Sequence, residues 1–578
     1  MRCPRRGRTT WMIRVASAWS GGQPRAISAI SDLRYVSGRR CEGLFSDGCA
    51  TLPIDPDAWP SAGVWAMRVS SYAIGAPLAD DRFFLLFHGL RGSLDKVTAV
   101  AGAYLVEHRG EEVISPPWAH GDAVEEHLRQ RGYLTDLPVE RERELLVEVA
   151  SLLHEADLAA APPSFVFVPA YTCNLRCPYC FQGHDMHAGK GGYGVIMSRE
   201  LVDDAFRVID RCNRAGAISR QIGMTPENGT TENNTAQHGR LGRRIGLFGG
   251  EPLSGSTREV VEYIVQQARR RGAAMWAITN GVQLDAFADL LGPDGLSELQ
   301  ITLDGMPDLH DRRRVGPRFR QTFHRIVDNI DLALAAGVQT RIRINVDRSN
   351  VEHVAMLSDL FAEKGWSRHP AFHANAAVVS GETTHQPLIS RTHLTELTST
   401  LRAAQASCVT SYEGYATTIL GQALAGGYPF HRATNCSAET GLLMFAPRGE
   451  LYGCWDEIGL ADRQIGQYRG GVLNLDEQAT RAWLSRFPGA IEQCSRCPYA
   501  LIHNGGCANH AYNDNGTIFA AACEGFQAFF PRTLAEAYED IERQLLGDRA
   551  PTRKQTRRLP ILQITNGRAD LAASRSSR

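Results

Sequence analysis

Between residues 161 and 380, short apolar segments alternate with amphipathic stretches, and no other feature limits the fold of this chain so tightly. The apolar segments predict strands at Ser164–Ala170, Arg244–Gly249, Ala274–Thr279, Glu298–Asp304, Thr340–Val346 and Ala371–Val379. The stretches between them predict helices. One is expected to open on Ser256-Thr257-Arg258-Glu259, a capping box that satisfies free amides at a helix start. Another runs over 321–336 and stops at Gly337, which suits a left-handed cap. Six such units in series imply a parallel sheet with right-handed crossovers. The fold class is therefore α/β, a partial (β/α)6 barrel of the TIM type.

Two strands show which face does chemistry. In Gln300-Ile301-Thr302-Leu303-Asp304 the apolar residues fall on one side, and Gln300, Thr302 and Asp304 on the other. In the next strand Ile342, Ile344 and Val346 face one way, and Arg341, Arg343 and Asn345 the other. A sheet covered by helices on both faces should be apolar throughout. Polar residues on a regular face therefore argue for a polar ligand inside a partly open barrel. An edge strand with one wet face explains either strand alone, and both together less well.

The first strand ends on Tyr171-Thr172-Cys173-Asn174-Leu175-Arg176-Cys177-Pro178-Tyr179-Cys180, three cysteines at Cx3Cx2C spacing. Thiolates prefer soft metals, zinc or iron–sulfur. A closed structural zinc site needs four ligands. Three on one loop leave a position open, as catalytic metals require, unless a distant fourth ligand makes a zinc knuckle.

This triplet, with an aromatic residue before its third cysteine, resembles the radical S-adenosylmethionine (SAM) superfamily. The resemblance implies that Cys173, Cys177 and Cys180 hold a 4Fe-4S cluster whose free iron chelates SAM. One-electron cleavage would then give a 5′-deoxyadenosyl radical that abstracts a substrate hydrogen. Gly249-Gly250-Glu251-Pro252 looks like the family's GGEP motif, its glycines admitting backbone to SAM and Glu251 accepting a bond from SAM's amino group. Thr279 and Asn280 end the third strand, and Thr302, Asp304, His310 and Arg314 resemble a further family segment. That match puts Asp304 near the SAM ribose and Arg314 near its carboxylate. Arg343 and Asn345 join the expected cofactor face. The order of these motifs at strand C-termini is the specific signal.

A second array follows: Cys436, Cys454, Cys494, Cys497, Cys507 and Cys523, with Gly449 at Gx4C from Cys454. It is similar to the SPASM extension, whose members carry auxiliary 4Fe-4S clusters. The third cysteine of the quartet is replaced by His503. Carried over by position, Cys436, Cys454 and Cys507 would ligate one cluster. Cys494, Cys497 and Cys523 would ligate the other, with His503 or an exogenous group completing it; loss of that cluster is the third alternative. Histidine ligates some clusters and raises their potential. Cys212 and Cys408 lack ligand spacing and read as ordinary helix residues.

The rest of the chain frames these sites. Residues 1–66, with nine arginines and one acid in the first forty, are expected to be disordered or untranslated, with Met67 as the start. Residues 67–160 read as a small α+β module, with a strand at 82–88, helices near 94–108, 122–131 and 138–157, and a short strand at Tyr133-Leu134. The barrel occupies 161–400, interrupted by a polar, disordered insertion at 217–243. A cysteine-rich iron–sulfur domain covers 401–547, and 548–578 is a basic, disordered tail. Across all 578 residues 62 Lys+Arg balance 63 Asp+Glu, so no global field favours nucleic acid or anionic lipid. No basic stripe with interleaved aromatics marks the barrel. No apolar run reaches a bilayer's width. Fourteen cysteines are too sparse for a disulfide scaffold. Thiols needing reduced metal place the protein in the cytoplasm.

Within the resemblance, SPASM proteins mostly modify peptides, so the expected activity is that of a ribosomal peptide maturase, making a crosslink or oxidising a side chain. The implied partners are a precursor peptide, gripped by the 67–160 module, and a reductant such as flavodoxin or ferredoxin. The alternative enzyme is a sulfatase-type Cys/Ser maturase, favoured by Asp456 just past Cys454, where an acid could accept a proton. A non-catalytic iron–sulfur carrier or scaffold is the alternative from another class.

Overall fold

The computed structural model describes residues 67–546 except 120–122, 217, 225–243, 380–388, 404–407, 412–413, 426 and 431, and the short strands at 12–14, 51–53, 563–565 and 568–570. The expected insertion at 217–243 therefore lies mostly outside the described residues.

Six strands, Ser164–Phe167, Arg244–Leu247, Ala274–Thr279, Leu296–Thr302, Gln339–Val346 and Phe372–Val378, pair in parallel in sequence order. They are the strands expected, but those ending on motifs stop early. Pro169 has no N–H for a ladder and Gly249 takes φ +131°, so the motif residues peel away as loops. Val409–Thr410 extends one edge of the sheet. Leu442–Phe445 lies parallel to Ser164–Phe167 at the other edge, and Glu450–Tyr452, Gly466–Arg469 and Val472–Leu475 follow it antiparallel. One eleven-stranded, mostly parallel sheet results. The boundary expected at 400 does not divide it, because segments on both sides of that residue share its ladder.

Helix formation follows the apolar stripe. In Arg199–Ala215 the buried residues Leu201, Val202, Ala205, Phe206, Ile209 and Cys212 recur at helical spacing, Ser198 caps the start and Gly216 ends it. The expected capping box is shifted: Ser254 and Thr257 form it, around the short 3₁₀ turn Gly255–Thr257 that precedes Arg258–Arg270. Thr257 is already committed to Pro252 O and Ser254 O, so it cannot serve the later register. Helix Phe323–Ala335 stops before Gly337, at φ +74°, as expected.

The polar faces read from sequence are present: Ile342, Ile344 and Val346 are buried, while Arg341, Arg343 and Asn345 are not. Cys212 is a buried helix residue. Cys408 is not helical; it enters Val409–Thr410 and its N–H donates to Ser358 Oγ at 3.0 Å.

In the N-terminal module, Leu94–Thr98 is a strand, not the start of a helix, because it pairs antiparallel with Phe83–His88; the helix is Ala99–Glu107. A further strand, Ala73–Pro77, pairs on the other side. One face of this sheet packs Phe84, Leu86 and Val97 under Ala99–Glu107 and Ala123–Arg131. The other packs Ile74, Leu85 and Phe87 against Phe430, Tyr499 and Phe526. The module thus shares its core with the cysteine-rich region. Of the tail, Gln563–Thr565 and Arg568–Asp570 form an antiparallel pair and the first meets Leu94–Thr98 at Ile564; at the other terminus Met12–Arg14 pairs with Thr51–Pro53. The rest of 1–66 and 548–578 lies outside the described residues. No described helix is long and apolar enough to cross a membrane.

Candidate active site

Cys173, Cys177 and Cys180 sit on the loop leaving Ser164–Phe167, and all eleven described cysteines are free of disulfides. The loop is held by backbone bonds: Cys180 N–H to Cys177 O at 3.1 Å, Arg176 N–H to Val315 O at 2.7 Å and Cys173 N–H to His187 O at 3.2 Å. Arg176 also donates to Cys173 O at 2.6 Å. Burial pushes all three thiols up, Cys180 to about 12, and Cys177 adds to the shift of the other two. Three crowded, desolvated thiols resist ionisation without a cation and become thiolates with one. The donor set therefore fits a soft metal centre.

The motif Gly249-Gly250-Glu251-Pro252 abuts that loop. A Cβ on Gly250 would lie 2.2 Å from Tyr171 O, and one on Gly249 2.7 Å from Ala170 O. Gly250 N–H donates to Ala170 O at 3.3 Å and Glu251 N–H to Thr172 O at 3.0 Å. The glycines were expected to admit a ligand; on this side they admit the cysteine loop's own carbonyls. Glu251 is buried, and its carboxylate accepts from Thr279 Oγ1 at 2.6 Å, Leu253 N–H at 2.9 Å and Asn280 N–H at 2.7 Å. Burial raises its pKa against those three bonds. Asn280 Nδ2 continues to Asn174 Oδ1 at 2.7 Å, beside Cys173. Glu251 thus fastens three strand ends. A Glu251→Gln amide would point N–H at a donor, so we expect a loss of roughly 1–3 kcal/mol in denaturant unfolding; an unchanged midpoint would refute this account of the carboxylate.

Tyr179 and Arg313, to which the motifs give no role, join the residues already named in a further network. Arg314 donates to Tyr179 Oη at 2.7 Å, and Tyr179 Oη donates to Asp304. Asp304 lies 3.7 Å from Arg314, and Arg313 stacks over the Tyr179 ring at 4.8 Å. Asn345 N–H donates to Asp304 Oδ1 at 3.0 Å, and Arg343 Nε to Asn345 Oδ1 at 2.8 Å. Thr302 pairs in register with Arg343. His310 Nδ1 accepts from Asp304 N–H at 3.2 Å. Burial works against the Arg314 charge, but Tyr179, Cys177 and Asp304 outweigh it. The Nε of both arginines and His310 Nε2 are buried without a hydrogen bond among the described residues, polar atoms that a bound polar ligand would satisfy. Tyr179, 125 residues from Asp304, was visible only as the aromatic before the third cysteine.

The later cysteines fall into two groups. Cys507 adds to the burial that pushes the Cys436 thiol up, and Cys436 in turn adds to that of Cys454. Cys494, Cys497 and Cys523 line one pocket with His503, Phe526 and Gln527. Burial holds His503 down at about 4, the neutral imidazole a metal needs. Its ring lies 4.3 Å from that of Phe526. One ligand atom each of Asp456, Cys507 and His510 lies within 4.8 Å of the others. Burial raises Asp456, while His510 and Arg343 draw it back down. His510 went unremarked, although its Cys507-x2-His510 spacing repeats that of Cys494-x2-Cys497.

Residues 167–360 match the model of the radical SAM superfamily. A probable GTP 3′,8-cyclase of Methanopyrus kandleri is 28% identical over 158 residues, 26% of this chain and 48% of that protein. A cysteine-type anaerobic sulfatase-maturating enzyme of Clostridium novyi is 23% identical over 206 residues, 35% of this chain and 48% of that one. The chain spans about half the length of the curated relatives it matches. Among solved structures, native anSMEcpe with bound AdoMet aligns at TM-score 0.47 and 18% identity, covering 66% of this chain and 100% of that one. Streptococcus suis SuiB bound to precursor peptide SuiA aligns at TM-score 0.42 and 12% identity, over 78% and 97%.

Proposed function

We propose that this protein is a peptide maturase, with a partial barrel and a C-terminal region that holds two auxiliary clusters; residues 167–360 match the radical SAM superfamily, whose cofactors are a 4Fe-4S cluster and SAM. One observation carries the reading: beyond the domain, six further cysteines gather into two groups of three, each with a histidine or an acid beside it.

Cys173, Cys177 and Cys180 would hold the SAM-binding cluster; SAM would be held by Gly249, Gly250, Glu251, Pro252, Thr279, Asn280 and the polar face of Thr302, Asp304, Arg314, Arg343 and Asn345. Together these groups supply one-electron sulfonium cleavage and hydrogen-atom abstraction. The chain's own part is orientation and dryness. Tyr179, Arg314 and Asp304 tie the cysteine loop to the fourth strand, and Glu251 ties it to the second and third. Asp456, with its pKa raised by burial, would accept a proton from substrate.

The substrate is a precursor peptide, and the electron donor a flavodoxin- or ferredoxin-class protein, in a reducing cytoplasm. Both faces of the N-terminal sheet are covered, so an extended leader would add at an edge, the strand Ala73–Pro77, and not on a face. A sulfatase-type Cys/Ser maturase is the second reading, favoured by Asp456 and by the likeness to the Clostridium novyi protein.

The test is anaerobic reconstitution, with iron and sulfide counts and a dithionite-driven assay for 5′-deoxyadenosine, followed by co-expression with a short adjacent reading frame and mass measurement. Iron beyond one cluster, SAM cleavage and loss of two hydrogens per crosslink are expected. Cys523→Ala should spare most SAM cleavage while abolishing product. A metal-poor protein, or equal damage to both steps, would overturn the proposal.

A further inference from the structure

The two cysteine groups each lack a fourth thiol. Among the described residues the other cysteines outside the SAM loop, Cys212 and Cys408, are committed elsewhere: Cys212 is packed inside its helix, and Cys408 sits beside Ser358. For the group of Cys494, Cys497 and Cys523, His503 shares the pocket. For the group of Cys436, Cys454 and Cys507 the candidates are Asp456 and His510, both within 4.8 Å of Cys507 by a ligand atom.

Their surroundings separate them. His510 Nδ1 is bonded to Glu524 at 2.8 Å, and Glu524 is paired in turn with Arg391. A metal-bound imidazole characteristically gives its second nitrogen to a carboxylate, which fixes ring orientation and tautomer. His510 has that carboxylate, leaving Nε2 for a metal. Among the described residues Asp456 has no comparable brace; Arg343 and His510 act on it through space. Its oxygens are hard donors, whereas imidazole suits iron.

Glu524 adds a connection. It follows Cys523 directly and takes φ +45°, a left-handed conformation rare for its residue type. That turn sends the carboxylate toward His510 while Cys523 faces the other group's pocket. The backbone cost is offset if both neighbours are ligands.

We propose that His510, oriented by Glu524, is the fourth protein ligand of the Cys436–Cys454–Cys507 site, leaving Asp456 unligated. The inference rests on the reading of that site as an iron–sulfur centre. His510 would be the ligand and Glu524 a positioning residue.

The test uses full-length protein with Cys173, Cys177 and Cys180 all changed to Ala and with His503→Ala, so that nitrogen signals arise from one site. After anaerobic reconstitution and dithionite reduction, pulsed EPR should show strong ¹⁴N coupling to a reduced cluster. His510→Ala should abolish that coupling. His510→Cys should keep the iron, lose the coupling and shift the reduction midpoint downward, since histidine ligation raises potential. Glu524→Gln should retain iron and coupling with an altered midpoint. Coupling that survives His510→Ala, or iron lost from Asp456→Ala but retained with coupling intact in His510→Ala, would overturn the assignment. Failure of that background protein to bind iron would instead refute the auxiliary-cluster reading beneath it.

Discussion

Cys177→Ala should abolish SAM cleavage, with no 5′-deoxyadenosine above background, while iron bound at the Cys436 and Cys494 groups is retained. Cys177 is the most buried of its triplet, and its surroundings explain why nothing can replace it. Arg314, Asp304 and Tyr179 all act on its thiol electrostatically, and the same three side chains are bonded to one another. An alanine there removes one of three donors from a buried position. The two cysteines that remain cannot fasten a cluster with one position left for substrate chemistry. Because the network of Tyr179, Asp304 and Arg314 does not require the thiol, the fold should persist, and unfolding should stay within about 1 kcal/mol of wild type, as for a small change at a buried polar site. Residual turnover in this variant would contradict the placement of the SAM-binding centre.

What the sequence disclosed, and what it hid, divides by distance along the chain. The parallel strands were readable because burial of alternate residues leaves a period in the sequence, and Ile342, Ile344 and Val346 kept it even beside two arginines. Motifs at strand ends were readable because each is contiguous. Leu94–Thr98 was not: Asp95 and Lys96 break the apolar run and are buried against partners elsewhere, Arg131 and His127 for the first and Glu542 for the second. The displaced capping box is a similar case, in which Thr257 is taken by carbonyls just before it. Long-range pairs were invisible in principle. Nothing near Tyr179 announces Asp304, and nothing near His510 announces Glu524. The grouping of the later cysteines came from a resemblance and not from spacing. Cys494, Cys497, Cys523 and His503 line one pocket, which is the grouping that the resemblance implies.

Arg486 belongs to no motif in the sequence, yet it is bonded between the segments that carry the later cysteines. Its side chain and that of Glu439 are both 0% exposed and lie 2.5 Å apart. Arg486 also donates to Gly506 O at 2.9 Å, Gly505 O at 3.0 Å and Ala520 O at 3.2 Å. Those contacts lie beside proposed ligand positions in both groups: Glu439 three residues past Cys436, Gly505 and Gly506 between His503 and Cys507, and Ala520 three before Cys523. One guanidinium therefore sets the spacing of two sites. Arg486→Leu would strand a buried carboxylate and several buried carbonyls, at a cost of about 3–5 kcal/mol. Glu439, whose pKa burial already lifts to about 7 despite Arg486, would then take up a proton. We expect a lower unfolding midpoint and loss of iron from both later groups, with SAM cleavage at Cys173, Cys177 and Cys180 diminished far less. Adding Glu439→Leu removes the stranded carboxylate, so the double variant should regain part of the stability without regaining the iron, because the carbonyls still lack their donor. A single variant that melts at the wild-type midpoint with its full iron content would show that the ligand loops hold their spacing without Arg486.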